Sequence, residues 1–423
     1  MKFSYGKNGL DLTLDPEWDT TVIRPNKLSP INDPIKEIRK AINHPLNSLP
    51  LKEIIQGKDT INNVCIVVSD ATRPVPSHII LEALINELNE YGIRDDQIIL
   101  LIATGLHRSS RHYELDRIIG RTLRKRIKTL DHVATDKETL KYIGETADNT
   151  PIFINKHYYN SDVKIVTGYV EPHFFFGFSG GRKSIIPGIA GEETIQANHS
   201  AKNIASQHSR FGSFEKNLMH QMATKISKKV GVDFVLNVCI NAEHEIVRIS
   251  AGELEMVQQH LVRFQMQQVF KKISEHFDIV VCGNGGYPLD LNLYQAVKSM
   301  AIGEMAVKPG GTIISVNECI DGIGQDNFRE LIFSGKTPKE LYNQILNKVL
   351  IIPDQWEIQI LTRILMKADI FVVSELGEKE LGNIGLKNAE TVEEAIKIAL
   401  KKHGKDARIL ILPSGPQVIP FLK

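Results

Sequence analysis

The stretch 64-VCIVVSDATRPVPSHIILEALINELNEYG-92 decides the fold class. Val64 to Val68 form a short apolar, β-branched run without polar alternation, which is the pattern of a strand covered on both faces. A polar turn with Pro74 and Pro76 follows, and then a helical pattern from Ser77, placed as N-cap, to Gly92, placed as the stop. Strand, polar loop and helix recur along the chain. The further strand-like runs are 97-QIILLIATG-105, 163-VKIVTGYV-170, 233-DFVLNVCI-240, 278-DIVVCGNGG-286, 311-GTIISV-316, 369-DIFVVSEL-376 and 408-RILILPSG-415. Strands alternating with helices predict an α/β protein with mostly parallel sheets flanked by helices.

Residues 252–276 read as one long helix ending before a fresh strand, which places a domain boundary near 273. The final strand fits either sheet by its pattern. The division expected is an N-terminal domain of residues 1–273, completed by 406–423, and a C-terminal α/β domain of 274–405, with the active site in the cleft between them.

Composition limits the function classes. Lys and Arg total 51 against 50 acidic residues, a formal net charge of +1, so there is no broad basic field to draw nucleic acid or anionic lipid. Cys65, Cys239, Cys282 and Cys319 form no CxxC pair and lie mostly in apolar runs, as buried thiols of a reducing compartment do. With no apolar leader and no run near the roughly 20 residues of a membrane span, the expectation is a cytoplasmic protein.

In parallel sheets the loops after the carboxyl ends of strands carry the ligand chemistry. Here those loops are 69-SDATRPVP-76, 104-TGLHR-108, 171-EPHFFFGFSGGRKS-184 and 283-GNGGYPLD-290. The third resembles a phosphate loop, but GxxxxGK[ST] counted from Gly177 meets Arg182 where glycine is required. Lys183 is then either a surface residue on a glycine turn or, given Phe174, Phe175, Phe176 and Phe178 around it, a lysine in apolar surroundings able to act as a nucleophile. Asp70 and Arg73 are either an ion pair fixing a turn or an anion and hydroxyl clamp. On a helix starting near Leu291, Tyr294, Gln295 and Lys298 share one polar face, whose bland reading is solvated surface. Among the histidines, His107, His173 and His199 stand out by lying in or just after these loops. There is no HExxH and no His/Cys pair at zinc spacing, so a metal would need ligands from outside the chain.

Taken together, SDATRPVPSH at 69–78, ATGLHR at 103–108, EPHFFFGFSGGRKSIIPGIAG at 171–191, ANHS at 197–200, GNGGYPLDLNLYQAVK at 283–298 and IPDQW at 352–356 closely resemble the nickel-pincer-dependent lactate racemase family. The blocks span almost the whole chain in the family's order. The resemblance implies a pyridinium-3,5-bisthiocarboxylic acid mononucleotide, the nickel-pincer nucleotide, bound covalently through Lys183, with nickel held by three cofactor atoms and His199. It implies cofactor contacts from Asp70, Ala71, Thr72, Arg73, Lys183, Gln295 and Lys298. Arg73, Tyr294, Lys298 and Trp356 are implied around a small 2-hydroxy acid substrate, and cofactor-biosynthesis proteins are implied as partners.

Hydride transfer from the substrate Cα to the cofactor must be coupled to loss of the hydroxyl proton, and the hydroxyl lies on opposite sides for the two enantiomers. His107 and His173 are therefore the expected acid/base pair, one for each hand. The function expected is lactate racemase, with a racemase or epimerase of another 2-hydroxy acid as the alternative because of the bulky Phe174–Phe176 run. A nucleotide-binding phosphotransferase and a non-catalytic ligand-binding protein are the other readings.

Overall fold

Val64–Ser69 is a strand buried along all but its last residue, as its unbroken β-branched run requires. Burial of each such Val or Ile side chain contributes on the order of 1.5–3 kcal/mol. The computed structural model in which it lies describes residues 1–146 and 149–422. The chain forms two units: one of Lys27–His199 and His208–Met266, here the N-terminal unit, and one of Met1–Asn26, Ser200–Gln207 and Gln267–Lys423, the C-terminal unit.

The N-terminal unit is built on a six-stranded sheet in the order Ile246–Gly252, Phe234–Ile240, Val163–Tyr169, Val64–Ser69, Ile98–Ala103 and Lys128–Asp131. All neighbours are parallel except the hairpin of Ile246–Gly252 on Phe234–Ile240. Helices Pro34–Asn43, Ser77–Glu90 and His112–Ile119 supply Ile38, Ile42, Ile80, Leu84 and Ile118 to the core cluster that includes these strands. The C-terminal unit has a second six-stranded sheet, parallel throughout, in the order Leu386–Asn388, Asp369–Val373, Val307–Val316, Phe277–Gly283, Ile409–Leu412 and Thr20–Val22. Its core joins Ile279, Val281, Ile409 and Ile411 to Val392 and Ile396 of helix Val392–His403, and to Phe3 and Leu12.

Three expectations are corrected. Residues 406–422 do not complete the N-terminal domain, because Ile409–Leu412 pairs in register with Ile279–Cys282; Lys423, the last residue of that expected segment, lies outside the described residues. The long helix of 252–276 ends at Gln268, and Phe270–Ile273 is a strand paired in parallel with Ile419–Leu422. Lys271, Lys272 and Ile273 continue a plausible helical pattern, so only the distant partner strand selects the extended form. Ser77 is the first helical residue and not the cap, which is Pro76, and the helix ends on Tyr91 before Gly92, whose φ is +92°. The edge strands Thr20–Val22 and Lys128–Asp131 escaped notice because short polar edges lack an apolar run.

The four cysteines are buried and free. No helix among the described residues is long and apolar enough to cross a membrane.

A chain ending at Lys405 loses Ile409–Leu412, which pairs with both Ile279–Cys282 and Thr20–Val22 inside the C-terminal sheet. Such a chain should fail to form the C-terminal unit. Limited proteolysis should cut residues 267–405 within the time that leaves 27–199 intact, and equal resistance of the two segments would contradict this register.

Candidate functional site

The three candidate loops of the N-terminal unit follow three neighbouring parallel strands, Val163–Tyr169, Val64–Ser69 and Ile98–Ala103, so the sheet order brings their carboxyl ends together. The first loop is a tight turn in which the Arg73 amide donates to the Asp70 carbonyl at 3.2 Å and the Thr72 hydroxyl donates to Asp70 Oδ1 at 2.7 Å. Arg73 Nη1 donates to Thr72 Oγ1 at 3.0 Å, and the Ala71 carbonyl accepts from Arg117 at 2.7 Å. In the second loop the His107 amide donates to the Thr104 carbonyl at 2.9 Å, and Gly105, with φ +57°, donates its amide to Gly188 at 3.0 Å. That bond ties the His107 turn to the segment just after Lys183.

Asp70 and His107 meet across the two loops, with His107 Nδ1 2.6 Å from Asp70 Oδ2. Burial alone would raise the Asp70 carboxyl, but His107 by charge and hydrogen bond, with Arg73 and the Thr72 hydroxyl, outweighs it and holds the group at about 2. An ionised Asp70 only accepts, so His107 holds a proton at Nδ1 and turns Nε2 away from Asp70. The sequence alternatives for Asp70 resolve into an arrangement neither foresaw: its close charged partner is His107, and Arg73 stands by through space.

The glycine loop does not lead directly into an α-helix as a phosphate loop does. Gly181–Ser184 is a single 3₁₀ turn, and the next α-helix, Glu192–Asn198, is acidic in its first turn. The glycines are needed for close packing: Gly180 has φ +82°, and a Cβ there would stand 2.7 Å from Val170 Cγ2. Arg182, which stands where a phosphate loop requires glycine, is 1% exposed. Its guanidinium donates to the carbonyls of Phe178, Ser179 and Gly180 at 2.8, 3.2 and 3.1 Å. The next residue, Lys183, is half-buried with Nζ 4.6 Å from the Phe176 ring centre and 5.8 Å from that of Phe175.

The same two phenylalanines hold both remaining histidines. Phe175 stands edge-on to His173 at 4.5 Å and to His199 at 5.4 Å, and Phe176 lies 6.1 Å from His199. His173, on a short strand paired with Gly177–Phe178, receives the amide N–H groups of Phe175 and Phe176 at Nδ1, at 3.5 and 3.3 Å. Its neutral ring therefore carries the proton on Nε2, opposite to His107. His199 directs Nδ1 to the Ile195 carbonyl at 3.0 Å. Burial first, then the Lys183 charge, pushes its imidazole down to about 3, so it stays neutral with a lone pair at Nε2, the form that binds metals. No three His, Cys, Asp or Glu side chains converge on a metal position among the described residues. A neutral imidazole beside a half-buried lysine fits a metal whose other ligands come with a lysine-bound cofactor.

The second set of residues lies in the C-terminal unit. Helix Leu293–Glu304 is capped by Asn292, whose side chain accepts from the Gln295 amide at 3.0 Å. The helix is not solvated surface: Tyr294 and Gln295 are buried and Lys298 is half-buried, with its ammonium on Gln295 Oε1. Tyr294 turns elsewhere, donating to Asp354 Oδ1 at 3.0 Å and accepting from Trp356 Nε1 at 3.2 Å. Asp354 caps helix Gln355–Leu365 with φ +64°, a left-handed conformation that a non-glycine residue adopts at some cost.

Three residues of these surroundings had been given no role. Tyr169 and Glu171 are buried and hydrogen-bonded to each other, and burial first, then the charge of Glu171, keeps the phenol protonated while Arg73 and Asp70 also act on it. Asp354 is the third. Tyr169 ends a strand and Asp354 sits within IPDQW, so position relative to the motifs was the available signal.

The chain matches the lactate racemase N-terminal domain over residues 5–212 and the lactate racemase C-terminal domain over residues 272–420. It is 35% identical over 424 residues to a lactate racemase of Thermoanaerobacterium thermosaccharolyticum, covering 99% of this chain and 98% of that protein. Against the lactate racemase of Lactiplantibacillus plantarum the identity is 37% over 386 residues, 90% of each. Among solved structures, the lactate racemase apoprotein from T. thermosaccharolyticum superposes with a TM-score of 0.90 at 34% identity, covering 99% of both chains. A structural-genomics crystal structure from Thermotoga maritima shares the fold, with a TM-score of 0.68 at 19% identity over 93% of this chain and 99% of that one.

The Asp70–His107 pair gives a pH signature. The folded Asp70 value of about 2 lies below the ordinary value of about 3.9 for an unfolded aspartate. Its contribution, on the order of 2–3 kcal/mol, is therefore fully present above pH ~5 and lost progressively as the pH falls through the unfolded value toward the folded one. Asp70→Asn should be less stable than the wild type at pH 7 in urea unfolding, and the gap should narrow steadily between pH 5 and pH 3. A gap that does not change with pH would show that Asp70 is not held ionised by this pair.

Proposed function

The chain belongs to the lactate racemase family and is an isomerase, and we propose that it interconverts D- and L-lactate using a nickel-pincer nucleotide bound to Lys183. The observation that carries this reading is the meeting of Lys183 with a neutral His199 on the rings of Phe175 and Phe176. A lysine in such surroundings suits a covalent tether, and a buried imidazole kept unprotonated suits a single nickel ligand. The Asp70–Arg73 turn, Gln295 and Lys298 are assigned to the cofactor, and Arg73, Tyr294, Lys298 and Trp356 to the substrate carboxylate and its surroundings.

When bound, the pyridinium nucleotide with its nickel supplies an electrophilic centre able to accept a hydride. The chain's own residues manage the proton. His107 Nε2, with Asp70 behind Nδ1, is built to take a hydroxyl proton, because the carboxylate stabilises the imidazolium that results. His173 supplies the second position that the opposite enantiomer requires, and its Nε2–H has the character of a donor. Arg73 and Lys298 are the cations assigned to orient an anionic substrate. Phe174, Phe175 and Phe176 all pack on His173, with Phe174 4.9 Å away between ring centres.

The occupancy test uses protein made in cells that also carry the cofactor-making proteins. Wild type should show an added mass of roughly one modified mononucleotide and bound nickel. Lys183→Ala should lack the adduct, whereas His199→Ala should keep it and lose most of the nickel. An adduct retained in Lys183→Ala, or nickel retained in His199→Ala, would remove that residue's assignment.

For the acid/base pair, His107→Ala and His173→Ala should each keep the adduct and nickel while turnover falls about 10²- to 10⁴-fold. Both directions must slow together, since the enantiomers are of equal energy. On mixing with one enantiomer at a time, the absorbance change of the loaded enzyme should survive for opposite hands in the two variants. Loss for both hands in both variants would exclude one base per hand.

A further inference from the structure

Between the 208–217 segment and helices Leu218–Val230 and Leu254–Gln268 lies a cavity of about 790 Å³, within the range of small-molecule sites. Its charged lining is predominantly basic: Lys216, Lys225, Lys228 and Arg263 against Glu215 and Glu255. It shares Phe214, His220 and Glu255 with an inner recess of about 20 Å³, room for a single oxygen atom, whose wall includes Arg182 and Gln258. Neither space is lined by Lys183, His199 or any residue assigned to racemisation.

Arg182 makes this cavity more than a basic hollow. The three carbonyls of the glycine loop take its terminal nitrogens, but Nε is buried without a hydrogen bond, and so is Oε1 of Gln258, which lines the same recess. Two aromatic faces, Phe176 at 5.5 Å and Phe214 at 5.4 Å, flank the guanidinium. No carboxylate pairs with Arg182 among the described residues, and Glu255, which faces the same recess, is paired with Lys228. A guanidinium taken out of water without a counter-charge is destabilising unless something else supplies the charge. The donors left over, Arg182 Nε–H inside and Lys216, Lys225 and Arg263 outside, ask for oxygens that carry negative charge.

We propose that this cavity is a second binding site, for a small multivalent oxyanion of the carboxylate or phosphate class, with one oxygen reaching Arg182 through the inner recess and the rest neutralised by Lys216, Lys225 and Arg263. Phe176 connects the two sites, since Arg182 of the recess wall and Lys183 both lie over its ring. An anion held here therefore bears directly on the loop that carries Lys183.

The experiment is calorimetric titration of the full chain at low ionic strength with inorganic phosphate and, separately, with citrate. At least one should bind saturably at a single site, and binding should weaken at least tenfold in the double variant Lys225→Glu, Arg263→Glu. Both positions are exposed, so the fold should survive, as circular dichroism will verify. Lys52→Glu, on a helix that does not line the cavity, should bind as the wild type does. The Arg182 Nε–H resonance should shift on titration of the wild type, which locates the anion; a shift for phosphate alone or citrate alone identifies the class. Absence of saturable binding by both anions, undiminished binding in the double variant, or an unmoved Arg182 resonance would each overturn the site.

Discussion

The buried guanidinium of Arg182 is the constraint on which the glycine loop depends. Three consecutive carbonyls, of Phe178, Ser179 and Gly180, point at one side chain, and that is possible only where the backbone adopts φ values open to glycine. Because Arg182 turns inward to satisfy them, the neighbouring Lys183 is left against Phe175 and Phe176. A lysine in the place of Arg182 has one nitrogen and no planar fork, and does not reach three acceptors at once in this way.

Around that loop the parallel sheet does the gathering. Val163–Tyr169, Val64–Ser69 and Ile98–Ala103 are neighbours, so residues separated by long crossovers in sequence meet at their carboxyl ends. The result is a set of histidines with different protonation. Asp70 fixes the His107 proton on Nδ1, two amide groups fix the His173 proton on Nε2, and burial beside Lys183 keeps His199 neutral. Each ring is the same side chain with a different neighbour at Nδ1, and that neighbour decides whether Nε2 gives or receives.

The C-terminal unit holds its own residues with equal economy. Tyr294 joins helix Leu293–Glu304 to the left-handed Asp354 and to Trp356, while Lys298 and Gln295 engage each other one turn along. The sheet beneath is completed by Ile409–Leu412 and Thr20–Val22, so both ends of the chain are structural members of one unit.

By itself the sequence determined the fold class, because unbroken β-branched runs such as Val64–Val68 can be satisfied only by strands covered on both faces, with helices between them. It also marked the loops at the strand ends, and in or just after them Asp70, His107, His173, Lys183 and His199. The partners of these residues were decided by tertiary structure. That Asp70 takes His107 and not Arg73, that Arg182 turns inward, that Phe270–Ile273 leaves the helix for Ile419–Leu422, and that Ile409–Leu412 enters the second sheet all depend on groups distant in the chain. Local pattern fixes which groups can pair. Only the crossovers of the sheet bring one particular partner within the 2.6 Å that separates His107 from Asp70, where charge and hydrogen bonding act.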